Sequence, residues 1–189
     1  MVLEGSDREL VAACQRGERD AFRALFETYK DQVYSIALRF SGDRAVAMDI
    51  AQDTFLKLFS SIQDFRGDAR FETWIYRLVV NSCLDHKRRS WRLIPIADEL
   101  LAVLEAPANS LNEVLRAEVR DRVRSAVERL TPDLRMVIVL RYTEGLSYDE
   151  VADVLGCSAG TVASRLNRAH KVLERRLSYL KERKGSGHV

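Results

Sequence analysis

The strongest constraint on the fold lies between Leu146 and Arg168, in the run Leu-Ser-Tyr-Asp-Glu-Val-Ala-Asp-Val-Leu-Gly-Cys-Ser-Ala-Gly-Thr-Val-Ala-Ser-Arg-Leu-Asn-Arg. It spells two short helices joined by a tight turn. Ser147 caps the first, and Glu150, three residues on, completes a capping box. Val151, Ala152, Val154 and Leu155 then recur at helical spacing as an apolar face. Gly156 stands where the chain leaves that helix, in a left-handed conformation that costs glycine little. Ser158 is a second N-cap, and Val162, Leu166 and Ala169 form the buried face of the second helix. Small residues at Ala152 and Gly156 allow the two helices to cross closely. The opposite face of the second helix carries Thr161, Ser164, Arg165, Asn167 and Arg168, all able to bond phosphates or base edges. The run therefore predicts a helix-turn-helix with a polar recognition helix, and DNA is its leading partner.

The rest of the chain reads as helix. Asp7 is placed to cap a helix through Leu10, Val11 and Cys14 that ends near Gly17. Asp20 opens a second, with apolar repeats at Phe22, Leu25, Phe26, Tyr29, Val33, Ile36, Ala37 and Phe40, broken at Ser41-Gly42-Asp43. A third runs from Arg44 to Ser61, and a loop from Asp64 to Ala69 leads to a fourth over Phe71 to about Arg89. From Trp91 to Ala117 the pattern loosens around Pro95 and Pro107. Helix returns near Glu113 and runs to Leu130, and Thr131-Pro132 is a start signal for the next. The β-branched run Met136 to Leu140 sits in a helical frame, where tertiary context overrides propensity. The expected architecture is all-α: a helical domain over residues 1–92, a flexible linker over 93–117, a second helical domain over 118–184 and a disordered tail at 185–189.

Composition narrows the class. Of 189 residues 47% are hydrophobic, enough to fill a core, and 31% are charged, yet the formal net charge is only +2. A uniformly basic coat for DNA is excluded, so any basic surface is local. Cys14, Cys83 and Cys157 are scattered without a CxxC pair, which predicts neither disulfides nor a zinc site and fits a reducing cytosol. The first ten residues carry acids where a secretory signal carries bases. No apolar run approaches the roughly 20 residues that span a bilayer. These readings predict a cytoplasmic protein without membrane insertion.

Three constellations bear chemistry. The helix over Phe71–Arg89 mixes Phe71, Trp74 and Tyr76 with a basic end at Lys87, Arg88, Arg89 and Arg92. That combination suits melted DNA, whose bases stack on rings while phosphates meet cations. It equally describes a core helix with a basic last turn favoured by the helix dipole. Asp49, Gln52 and Asp53 share one face at i, i+3 and i+4 beside aromatics, as either a docking surface for a basic protein or an ordinary solvated face. Cys83 and His86 lie three apart, but two such groups do not make a metal or catalytic site. No phosphate loop, HExxH or GxSxG is present, so neither cofactor nor enzymatic activity is expected.

Taken in order, these segments resemble bacterial RNA polymerase sigma factors of the extracytoplasmic-function (ECF) class over about residues 7–182. The resemblance is carried by Asp7-Arg-Glu-Leu-Val with Gly17-Glu-Arg-Asp-Ala-Phe-Arg-Ala-Leu-Phe, by Asp49-Ile-Ala-Gln-Asp-Thr-Phe, and by Phe71-Glu-Thr-Trp-Ile-Tyr-Arg-Leu-Val-Val-Asn-Ser. Leu130-Thr-Pro-Asp-Leu-Arg and Gly145-Leu-Ser-Tyr-Asp-Glu-Val-Ala complete it. It implies a region 2-like domain that binds core polymerase and melts the −10 element, and a region 4-like domain that reads the −35 element. Asp49, Gln52, Asp53 and Phe55 become core-polymerase contacts. Loop residues Phe65, Arg66, Gly67 and Asp68 form a pocket for a flipped base, with Asn81 near that base; its amide both donates and accepts. Tyr76, Arg77, Lys87, Arg88 and Arg89 hold the strand and its phosphates. Ser158, Thr161, Ser164, Arg165 and Arg168 contact the −35 element. Ala163 departs from the Arg or Lys frequent at its position and cannot bond a base edge, so the −35 sequence differs or is read by shape.

The implied partners are core RNA polymerase (clamp and flap), promoter DNA and an anti-sigma factor. The implied function is transcription initiation without catalysis by the chain itself. The competing reading is a stand-alone helix-turn-helix regulator binding duplex operators as a dimer. It leaves the aromatic-basic helix and the Asp49 segment unexplained.

Overall fold

The structure, a computed structural model, describes residues 4–93 and 111–178. The described elements are α1 (Glu4–Gln15), α2 (Arg19–Ser41), α3 (Arg44–Ser61), a single 3-10 turn (Ile62–Asp64), α4 (Phe71–Leu93), α5 (Leu111–Glu128), α6 (Pro132–Tyr142), α7 (Tyr148–Leu155) and α8 (Ala159–Arg176). No strand occurs among the described residues. The expected linker prolines Pro95 and Pro107 and the tail at 185–189 lie outside them.

Local chemistry sets most boundaries. Asp43 caps α3 by accepting the Val46 N–H at 2.9 Å, and Gly42 ends α2 at φ 78°, its N–H closing on the Leu38 carbonyl. Three starts and stops differ from expectation. Helix α1 begins at Glu4, so Asp7 lies inside its opening turns instead of capping it. Helix α4 continues past Arg89 to Leu93. Helix α5 starts at Leu111, inside the span expected to be linker. The β-branched run 136–140 is helical within α6, as its frame requires, because four of its five side chains are buried there.

In the N-terminal half α2 is the spine. Leu25, Val33, Ile36 and Ala37 are fully enclosed by α3 (Ile50, Leu58) and α4 (Ile75, Val79). In the C-terminal half α6, α7 and α8 enclose Met136, Val137, Leu140, Val151, Val162 and Leu166, and α5 joins α8 through the Arg176 guanidinium donating to the Ala126 carbonyl at 3.1 Å. The two sets of buried side chains form one continuous cluster, because α6 rests on α2 and α7 rests on α4.

The helix-turn-helix follows its sequence signals. Ser147 accepts the Glu150 N–H at 3.2 Å while Glu150 accepts the Ser147 N–H at 2.8 Å, so the capping box is complete. That contact holds the Glu150 carboxyl below the usual carboxylate range. Gly156 takes the left-handed conformation at φ 61°, and Ser158 caps α8 by accepting the Thr161 N–H at 3.2 Å. Arg141 fixes the preceding turn, donating to the Leu146 carbonyl at 2.7 Å with its guanidinium over the Tyr148 ring. Ser147→Ala removes one half of the box and should lower unfolding free energy by about 1 kcal/mol, read as a lower urea midpoint with an unchanged slope.

Candidate DNA and polymerase interfaces

Three surfaces bring the expected site residues together. The first is on α8. Ser164, Asn167 and Arg168 are exposed and Thr161 and Arg165 half-buried, while Val162, Leu166 and Ala169 are turned wholly inward. Ser158 is also exposed, but its hydroxyl is engaged as the cap and lies 3.0 Å from the Thr161 hydroxyl. A phosphate or base contact by Ser158 thus competes with the cap. Ala163 is half-buried on the same helix. His170 is exposed and its Nε2 lies 2.8 Å from the Tyr142 hydroxyl.

The second surface is on α3 and the facing side of α2. Asp49 and Gln52 are exposed; Asp53 and Phe55 are half-buried. The Phe55 ring packs 4.7 Å from that of Phe26, and Phe22 meets Phe59 edge-on at 5.0 Å. Around the acids lie Met48, Leu56 and Phe59, each at least 60% exposed. Nothing in the sequence reading singles out Leu56 or Met48. Clustered exposure of side chains this large marks an interaction site.

The third surface surrounds α4. Phe65, Arg66, Gly67 and Asp68 line an open cavity of about 780 Å³. Its inner wall is Tyr29 and Phe71, whose rings meet at 5.7 Å. Phe65 packs edge-on against Phe71 at 5.3 Å and tilted against Trp74 at 5.2 Å. Arg8, Arg66 and Arg70 line it together with Asp68 and Glu72. Helix α1 contributes Arg8, Val11 and Gln15 to the lining, none of which the sequence reading places at the base pocket. Asn81 is exposed farther along α4 and does not line this cavity.

The remaining α4 residues divide. Arg88 and Arg89 are exposed, at 3.6 Å from Asp85 and 3.8 Å from Asp53, spacings that hold neither firmly. Lys87 is half-buried, and burial, with the Arg135 charge, lowers its pKa. Tyr76 is buried, only 4% exposed; its hydroxyl accepts from the Gln32 amide at 2.7 Å, and burial followed by the Glu144 carboxylate raises its pKa. Arg77 donates its Nε to the Asp153 carbonyl of α7 at 3.0 Å. Tyr76 is therefore buried and Arg77 is tethered to the C-terminal half in this arrangement. Cys83 is fully buried and its thiol is pushed up to about 12, chiefly by burial, which suppresses the thiolate a nucleophile needs. Among the described residues no group of three or more His, Cys, Asp or Glu is placed to hold a metal.

Residues 25–93 match the family described as sigma-70 region 2, and residues 120–173 match sigma-70, region 4. The RNA polymerase sigma-H factor of Pseudomonas aeruginosa is 33% identical over 95% of this chain and 98% of its own. The ECF RNA polymerase sigma-E factor of Escherichia coli strain K12 is 35% identical over 93% of this chain and 96% of its own. This chain belongs to the ECF sigma factors. Its structure is similar to CnrH, solved in complex with the cytosolic domain of CnrY, with TM-score 0.67 and 28% identity over 92% of this chain and 97% of that one. The sigma factor RpoE of Bartonella quintana, solved with the anti-sigma factor NepR, shares the fold at TM-score 0.65 and 24% identity, over 83% of this chain and 96% of that one. No described helix of this sigma factor is long and apolar enough to cross a membrane.

The sigma factor's covered face carries a titration. Burial raises the Glu144 carboxyl above its usual 4.5, against the Arg39 charge and hydrogen bonds from Tyr76 and Gln32 that lower it. The folded chain then binds this proton more tightly than the unfolded one. Its contribution to stability is full below pH 4.5 and is lost as pH rises through the raised value. Glu144→Gln removes the buried charge and keeps an acceptor. It should raise the thermal midpoint near neutral pH and flatten the fall in stability above pH 4.5, read by melts across that range.

Proposed function

We propose that this sigma factor binds core RNA polymerase through the α3 face, places α8 on the −35 element and seats a flipped −10 base in the cavity beneath Phe65–Asp68. The chain itself catalyses nothing and acts in the cytoplasm, where its polymerase works. The observation that carries this reading is the joint presence of the α8 polar face and the arginine-rimmed aromatic cavity. One suits duplex, the other an extruded base with its phosphates. Extrusion costs a few kcal/mol, which stacking and hydrogen bonds in a pocket must offset. Phe65, Tyr29 and Phe71 supply rings, and Arg8, Arg66 and Arg70 supply charge. Asn81 then meets the strand as it leaves the cavity, and Arg88 and Arg89 exchange their loose carboxylate contacts for phosphates.

Asp49, Gln52 and Asp53 meet a basic polymerase surface while Phe55, Leu56 and Phe59 lie against its apolar parts. Tyr76 and Arg77 join the strand only after α6 and α7 lift from α4. An anti-sigma factor is the expected regulator, in keeping with the partners seen on the solved relatives.

The deciding experiment is promoter-dependent transcription with purified core polymerase on a genomic fragment library, with and without the protein. New specific starts that need the protein support the reading. Duplex binding by the protein alone, with no core binding, favours the stand-alone regulator. In the same assays Asp49→Ala should weaken core affinity several-fold, and wild-type affinity would show that the clamp contact lies elsewhere. Asn81→Ala should slow open-complex formation while sparing core binding. Arg165→Ala should cost about 1–3 kcal/mol of −35-dependent discrimination, and equal activity on a promoter with a scrambled −35 element would separate that loss from misfolding.

A further inference from the structure

The outer wall of the cavity is fastened by the last residue of α1. Gln15 Nε2 donates to the Ile62 carbonyl at 2.9 Å and to the Phe65 carbonyl at 3.0 Å. In return Gln63 Nε2 donates to the Gln15 backbone carbonyl at 2.7 Å. A primary amide has two N–H donors at a fixed angle, so bridging two carbonyls sets their separation. Those carbonyls bracket the 3-10 turn, where the Phe65 N–H itself reaches the Ile62 carbonyl at a long 3.3 Å. The side chain thereby fixes where the chain leaves the turn and how the Phe65 ring meets Phe71 and Trp74. Gln15 also lines the cavity. Its partners are backbone atoms, so it holds the loop's path whatever side chains the loop carries.

We infer that Gln15 is a positioning residue that sets the −10 base preference by clamping residues 62–65 from α1. The inference rests on the cavity being the receptor for the flipped base. A loop free to shift by a fraction of an ångström still admits a base but distinguishes poorly between bases, because discrimination depends on hydrogen bonds at fixed geometry.

The test uses holoenzyme reconstituted from the full chain and core polymerase, on a promoter recovered with the wild-type holoenzyme from the fragment library. Each non-template −10 base is replaced in turn, and the open-complex rate on the native sequence is divided by that on the replacement. With two part-buried hydrogen bonds lost, Gln15→Leu should lower that ratio roughly tenfold at one position and leave core affinity intact. Gln63→Ala, at an exposed side chain, should lower the same ratio less and guards against a folding defect in the first variant. Unchanged ratios in both variants overturn the role of Gln15, as does a uniform fall at every position that tracks a lowered thermal midpoint. Phe65→Ala is measured in parallel. If it lowers the ratio and Gln15→Leu does not, only the positioning role falls; if it changes no ratio, the cavity reading falls and the role of Gln15 with it.

Discussion

The register between the two halves is marked by one buried cation. Arg135 of α6 is 5% exposed. Its Nη1 donates to the Phe40 carbonyl at 2.6 Å, its Nη2 reaches the Leu130 carbonyl at 3.4 Å, and its guanidinium lies over the Phe40 ring at 5.6 Å. Phe40 is in the last turn of α2, where carbonyls lack helical partners and the dipole is negative. A guanidinium suits that end, and Glu128 nearby partly offsets the burial that lowers its pKa. Yet its Nε has no hydrogen-bond partner among the described residues. A buried charge with incomplete bonding regains hydration when exposed, so the net hold of this contact is modest. Arg135 thus sets the register of α6 against the end of α2, while the continuous apolar cluster joins the halves.

The charge distribution follows the same division. A net charge of +2 gives no long-range pull toward DNA, so affinity has to come from local groups. On α3 the carboxylates of Asp49 and Asp53 stand among exposed apolar side chains, and on α4 the guanidiniums of Arg88 and Arg89 sit beside Asp85 and Asp53. Exposed pairs of this kind contribute little, and their arginines are therefore available to phosphate. Asp53 joins the two surfaces: on the proposed reading, drawing Arg89 onto DNA frees an acid on the polymerase face.

How much of this was readable beforehand depended on the range of the interaction. The caps of α7 and α8 were legible because each is a bond across three residues. The start of α1 was misplaced because an aspartate at an N-cap and one in the first turns carry the same signature. The end of α4 was misplaced because Lys87 to Arg92 are good helix formers favoured at a C-terminus, so nothing in them says stop. The loop residues of the cavity were legible through family resemblance, but the α1 wall was not. Gln15 meets Ile62 and Phe65 across 47 and 50 residues, and no local pattern encodes such a pairing. The burial of Tyr76 was equally illegible. An aromatic beside an arginine reads as a strand contact, yet its burial under Glu144 depends on where α6 comes to rest.

Helix α4 therefore serves three purposes along its length, and they are not independent. Its first turn anchors the cavity through Phe71 and Trp74, its middle carries Tyr76 and Arg77 beneath α6 and α7, and its last described turns carry the basic run. A single strand leaving the cavity toward Arg88 has to pass the middle segment, where Arg77 is bonded to the Asp153 carbonyl. The cavity is open to solvent while Arg77 is tied to α7. On the proposed reading, capture of one base and retention of the strand are separable events: the first draws on the cavity, whereas the second needs α7 to release Arg77. On the proposed reading, core polymerase would supply that release by spreading the two domains over distant promoter elements.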